Sequence, residues 1–425
     1  MIENPAAWDE RGSWTKSEET GFGPPLAMGF NLSTQPWLSA QNRIINRTCL
    51  TMLLKQYDLR SHLDLLHRYQ LLADGPFTSR LCQALFSPDL GLSEYYIGQK
   101  RFGPSGLQLG YRDTWPPASA ELRLALMGLL TDSYFPTGYA EKASLFREEL
   151  PGGLSFAIRE MSEDEFQRCI DPFSVFALDF LHLQYRAPPP LDVVISATSM
   201  LKYDAIFRLL LRVQRMLFAT KSLVNDTRAL RLCSQRLSRK CDWEPSFRPK
   251  GRSKSTYWLK LSLLSRHFVS CISNYFFNGV SNHWSRLIRR LASINKDLVN
   301  QDGGFVEGIY ALRDFHNQVL DRIMLTLFLR KRQIEVMKLL EEIFETILRF
   351  ANQKMHDATL EAEAGLNELY ESLYKKITIF VRSCRALSEK SRPGGARSDG
   401  HGVSTDENTV GQLLLSLNMN DFYER

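Results

Sequence analysis

The sequence predicts an all-α protein of helical bundles, with long amphipathic helices joined by irregular loops. Two observations carry that fold class. Apolar residues recur at steps of three and four over long stretches, the spacing of one helical face. Leu191–Ile195 is the one short β-branched run considered as a strand. Charged residues make up 24% and the apolar set 44% of 425 residues, close to globular averages, so the chain can bury a large core without disulfides.

The elements follow in order. Residues 1–45 are dotted with Pro, Gly and Trp without a period, and read as an irregular lead-in. From Asn46 the text turns helical. Leu65, Leu66, Tyr69 and Leu72 form one stripe, and Phe77, Leu81, Leu85 and Phe86 continue it beyond Pro76. Residues 98–119 are a loop by their Gly and Pro content. A helix is expected around 120–132, then irregular chain to about 160. After three prolines, Leu191–Ile195 reads equally as a strand or as a buried extended connector.

Long helices follow. Ile206, Leu210, Val213 and Leu217 share a face, as do Leu261, Leu264, Phe268, Ile272 and Tyr275. Val280, Trp284, Leu287 and Leu291 extend the second stripe. Two more helices fit 305–329 and 332–353, parted by Arg330-Lys331-Arg332. Leu366, Leu369, Leu373, Ile377, Phe380, Cys384 and Leu387 make the last long stripe. The main helical domain is therefore 46–388, with a flexible Gly/Ser-rich insert at 389–410 and a terminal motif at 411–425 packing on the domain.

Charge and cysteine content bound the function. The net charge of +6 is too small for a protein that coats nucleic acid. It is also local: Arg228 to Lys254 holds nine Lys/Arg against Asp242 and Glu244, so 228–256 reads as a basic loop. Trp243 and Phe247 lie within it, which leaves a nucleic-acid or anionic-surface reading open beside that of an acidic protein partner. Seven scattered cysteines, odd in number, point to a reducing compartment. The polar start, Met1 to Arg11, does not read as a signal peptide, and no run of 18 apolar residues suggests a membrane span.

Catalytic texts are missing from the sequence: neither a P-loop, nor H-E-x-x-H, nor G-x-S-x-G is present. His267 and Cys271, four apart on a helix, could share a zinc ion, but no second ligand pair lies near in sequence, so the pair reads as packing. Glu163-Asp164-Glu165 after Ser162 reads as a helix N-terminus. No enzyme activity, cofactor or metal is expected.

Five segments, in order, resemble the gamma-tubulin complex component family (the spindle pole body component family of fungi) in its C-terminal grip domain. They are His62–Phe77; Leu191–Ile195 with Lys202-Tyr203 and Ile206-Phe207-Arg208; Arg266-His267-Phe268 with Tyr275, Val280, Trp284 and Leu287; Phe315-His316-Asn317 with Leu320-Asp321 and Ile323; and Leu414–Tyr423. Ser416 and Asn418 depart from the family's Arg and Asp, and Asp74-Gly75 from its Gly-Asp. The style leans towards components five and six. The family's first grip domain has no counterpart in the text, so the chain reads as part of a longer protein.

The resemblance implies a non-catalytic, all-helical scaffold that binds gamma-tubulin, joins other gamma-tubulin complex components and supports microtubule nucleation by geometry. Any GTP would belong to the tubulin. The implied place is the cytoplasm and cytoskeleton, at a microtubule-organising centre or spindle pole, with neither a membrane nor nucleic acid as partner. The candidate gamma-tubulin contacts are Tyr203, Arg208, Arg212, Arg215, Arg266, His267 and His316. The alternative is a helical scaffold that binds nucleic acid or an anionic surface through 228–254.

Overall fold

A computed structural model describes residues 26–86, 120, 126, 128–134, 150–171, 174–240, 252–299, 308–352, 360–390, 408–419 and 423. Helices α1 (Leu26–Thr51), α2 (Leu59–Tyr69), α3 (Gly75–Phe86) and α4 (Leu129–Tyr134) come first. Strand β1 (Ser155–Ile158), helix α5 (Glu163–Ile170) and strand β2 (Leu181–Gln184) follow. Then come the long helices α6 (Ala197–Lys240), α7 (Arg252–Val299), α8 (Ile309–Thr326), α9 (Ile334–Asn352) and α10 (Leu360–Lys390), and the short α11 (Asn408–Leu417).

Helix α7 is the axis of the bundle and packs against α6, α8, α10 and α11. Its apolar stripe explains this. Leu261, Phe268, Ile272, Phe276, Val280, Trp284 and Leu287 are all buried, and with half-buried Leu264 each returns to the same side after three or four residues. Tyr203, Ile206, Phe207, Leu210 and Val213 do the same for α6.

Where α7 meets α8, Gly279 lets the two backbones approach. A Cβ there would sit 2.5 Å from Cγ2 of Thr326. Thr326 cannot swing aside freely, because its hydroxyl donates to the Arg322 carbonyl at 3.0 Å and lies 3.0 Å from Nε2 of His283. Gly279→Ala should therefore destabilise by about 1–3 kcal/mol through overpacking. The gain of about 1 kcal/mol in helix propensity does not offset this. Urea denaturation checks the sign, and Thr326→Ser should recover part of the loss.

Helix α8 ends in a Schellman turn. The Leu329 N–H donates to the Met324 carbonyl at 2.9 Å and the Phe328 N–H to the Leu325 carbonyl at 3.2 Å. Phe328 takes the left-handed conformation (φ 58°) where glycine is usual. Its fully buried ring, against Tyr275, Phe276 and Phe380, holds it there.

Several expectations are corrected. The lead-in over 1–45 is not irregular throughout: from Leu26 it is helix α1, with Pro36 inside it. Only its last turns dock, through fully buried Leu50 and a 3.1 Å hydrogen bond from Arg47 to the Leu298 carbonyl. Phe30, Trp37 and Ile44 point to solvent, 67%, 63% and 65% exposed, so no buried stripe announced the helix. Leu191–Ile195 is neither strand nor extended connector; Leu191–Val193 forms a 3₁₀ turn. The strands lie elsewhere, with β1 antiparallel to β2 and Ile158 opposite Leu181. At four residues each they are too short for an alternating pattern to stand out.

The basic segment also changes character. Helix α6 continues to Lys240 and α7 begins at Arg252, so most of 228–256 belongs to two helix ends. Arg and Lys are good helix formers, and their charge masked the helical text. Residues 241–251, with Trp243 and Phe247, fall outside the described residues, as do the 98–119 loop and most of the 389–410 insert. In the C-terminal motif the departure at Asn418 has a local role: its side-chain oxygen accepts from the Tyr423 N–H at 3.1 Å.

Candidate partner-binding surface

Four of the seven candidate contacts are interior. The first turns of α6 pass α8, which brings Tyr203 to His316; both are fully buried. A carbonyl only accepts, so the His316 Nδ1–H donates to Val194 O at 3.3 Å, and Nε2 is left to accept the Tyr203 hydroxyl at 2.8 Å. One hydrogen-bond chain thus ties the 3₁₀ turn, α6 and α8 together. Burial holds His316 neutral, lowering its pKa to about 4, and raises that of the Tyr203 hydroxyl.

One face further along α6, Arg212 forms a forked pair with Asp179. Its Nε donates to Oδ1 at 2.9 Å and Nη2 to Oδ2, while Nη1 donates to Glu341 of α9 at 2.7 Å. The guanidinium also lies over the Phe176 ring, 4.6 Å from its centroid. Burial opposes the charge on Arg212, but the hydrogen bonds and charges of Asp179 and Glu341 outweigh it, and its pKa rises. Arg215 is buried and donates to the Ser174 carbonyl, and burial lowers its pKa to about 10. A contact role fails for Tyr203, Arg212, Arg215 and His316 on accessibility: their polar atoms are spent holding neighbouring elements.

Arg208 is half-buried, 3.8 Å from Asp204, which also takes the Arg159 guanidinium. Arg266 and His267 are exposed on α7. His267 Nε2 sits 3.6 Å from the Cys271 thiol, which reaches the Ser416 carbonyl at 3.5 Å. That thiol joins α7 to the C-terminal motif, and burial raises its pKa. Among the described residues, no group of three His, Cys, Asp or Glu is placed to hold a metal. The acid run caps α5 as expected, with the Glu165 carboxylate accepting the Ser162 N–H at 3.4 Å. Among the described residues, no helix is long and apolar enough to cross a membrane.

What the sequence reading missed is the charge of α7 itself. From Arg252 to Lys296 it carries eight Lys/Arg and no acid. That signal is legible in a charge count along the helix, but the denser 228–254 segment drew attention away from it.

The comparisons with known proteins bear on this helical frame. The family model described as "Gamma tubulin complex component C-terminal" matches residues 59–423. Gamma-tubulin complex component 6 of mouse is 23% identical over 322 residues, covering 74% of this chain and 15% of the mouse protein. Gamma-tubulin complex component 6 of human is 22% identical over 325 residues, covering 76% of this chain and 14% of the human protein. The chain thus spans about one seventh of the length of these relatives. The family match leaves the nucleic-acid reading of 228–254 without support. With five ordered motifs, a helical fold whose described residues add only a two-stranded sheet, and a family match that begins at α2 and ends at Tyr423, the chain belongs to the gamma-tubulin complex component family, whose C-terminal domain it carries.

Proposed function

We propose that this chain is a non-catalytic gamma-tubulin-binding module that acts within a gamma-tubulin complex and supports microtubule nucleation at a microtubule-organising centre or spindle pole. The observation that supports this reading is the family match over residues 59–423. The relatives' names add that they are components of such a complex. Neighbouring chains in the assembly would be other gamma-tubulin complex components.

The proposed mechanism is geometric. A rigid helical frame holds a bound tubulin at a fixed position, so that several such chains present a row of subunits that rarely assembles in solution. The buried ties between α6, α8 and α9 suit that role, because they resist bending of the frame. Of the seven candidate contacts, Arg208, Arg266 and His267 remain accessible to a partner.

Immobilised folded chain should retain purified gamma-tubulin at low salt. Absence of retention, with the helical circular-dichroism signal intact, overturns the reading.

A further inference from the structure

The solvent face of α7 is one continuous line. Lys260, His267, Asn274, Asn278, Ser285, Arg289 and Lys296 are all exposed and follow one another at steps of seven or four. At 1.5 Å per residue the line runs about 54 Å. Leu263, Ser281 and Asn282 are exposed beside it. An acid appears on the helix only at Asp297, third from its end.

Its charges are local, not diffuse. One end holds Lys260, with its ammonium 5.5 Å from the Tyr257 ring centroid, and the exposed Arg266 beside the line. The other end holds Arg289, whose Nε donates to the Ser285 carbonyl at 3.2 Å, and Lys296. Between His267 and Arg289 the line offers amides and hydroxyls for about 33 Å of helix.

That pattern decides between anionic partners. A nucleic-acid strand presents a phosphate every 3.4 Å or so, and would meet no cation of the line along its middle three-fifths. The line also has no exposed Phe, Tyr or Trp ring for base stacking. Two cationic ends with a polar, hydrogen-bonding middle fit a folded protein whose acids form two separated patches.

We propose that this face of α7 is the surface on which the chain docks the acidic face of its protein partner. The proposal rests on the gamma-tubulin reading above and adds the surface to it. The test compares three folded proteins: the wild-type chain; the stripe variant Lys260→Glu/Arg289→Glu/Lys296→Glu; and a control, Lys331→Glu/Arg332→Glu/Lys338→Glu. The control reverses the same number of charges on exposed positions, Lys331 and Arg332 in the turn before α9 and Lys338 in the first turns of α9. All are titrated with purified gamma-tubulin and with a 20-nucleotide single-stranded DNA, at low and at moderate salt.

The expected result is at least tenfold weaker gamma-tubulin binding by the stripe variant, binding by the control within threefold of wild type, and a smaller salt dependence in the stripe variant. Equal binding by stripe variant and wild type overturns the α7 surface and leaves the gamma-tubulin reading standing. Equal weakening in stripe variant and control also overturns it, because net charge alone would then be responsible. DNA binding that the stripe variant alone loses, with gamma-tubulin binding unchanged, overturns the protein as occupant. Failure of the wild-type chain to bind gamma-tubulin overturns both.

Discussion

Arg212→Met is expected to lower the free energy of unfolding by about 3–5 kcal/mol, the cost of removing one partner from a buried charge cluster. Arg212 and Asp179 each keep only 11% of their side-chain surface exposed. The methionine would still fill the space over Phe176, so the loss is electrostatic. Asp179 would lose its forked donor, and Glu341 of α9 its 2.7 Å contact. Arg208→Met gives the matched comparison on the same helix. Its contact with Asp204 is 3.8 Å and both side chains are partly exposed, so about 0–1 kcal/mol is expected. Urea denaturation of the two variants reads the difference directly. Equal midpoints would refute the view that the Arg212 cluster locks α6 to α9. The double variant Arg212→Met/Asp179→Leu should recover a large part of the loss, because two apolar groups then face each other.

The same residue shows how far the text could be read. Helices α6 to α10 were legible because each buries a stripe that repeats every three or four residues, and burial needs nothing from distant sequence. The order of five motifs sufficed for the family. Roles of individual side chains were not legible. Arg212 looked like a surface cation because its partners Asp179 and Glu341 lie 33 and 129 residues away. Tyr203 and His316 stand 113 residues apart and meet only after α8 packs on α6. Helix α1 escaped for the opposite reason. Its apolar residues face outward over most of its length, so no core stripe marked it, and Pro36 argued against a helix. Residue type shows what a side chain can do; the packing decides whether it is available to a partner.

Acid should weaken the fold through His316 well before any strongly denaturing pH. In the native state this ring is neutral, with its pKa held at about 4 by burial and by the positive charge of Lys202, against the help of the Val194 carbonyl. In the unfolded chain it titrates near 6.5. Above about pH 6.5 both states hold the ring neutral, and the full stability is present. As pH falls below that value the unfolded state takes up the proton first, so stability drops, and the drop saturates once the native ring also protonates near pH 4. At about 1.4 kcal/mol per unit, His316 alone should remove about 2 kcal/mol by pH 5 and about 3 kcal/mol by pH 4. His67 acts in the same direction. Its ring stacks on Trp284 at 4.9 Å, and burial, with a smaller push from Arg68, lowers its pKa to about 4; partial exposure calls for a discounted share. Protonation of His316 also reverses the role of Nε2, from accepting the Tyr203 hydroxyl to donating to its oxygen, so the 2.8 Å contact between α6 and α8 can persist and the cost is that of a charge in the core. His316→Gln removes the proton uptake, and its stability should fall less steeply between pH 6.5 and 4.5 than that of the wild type. If the two slopes coincide in urea titrations across that window, His316 is not the group that senses acid.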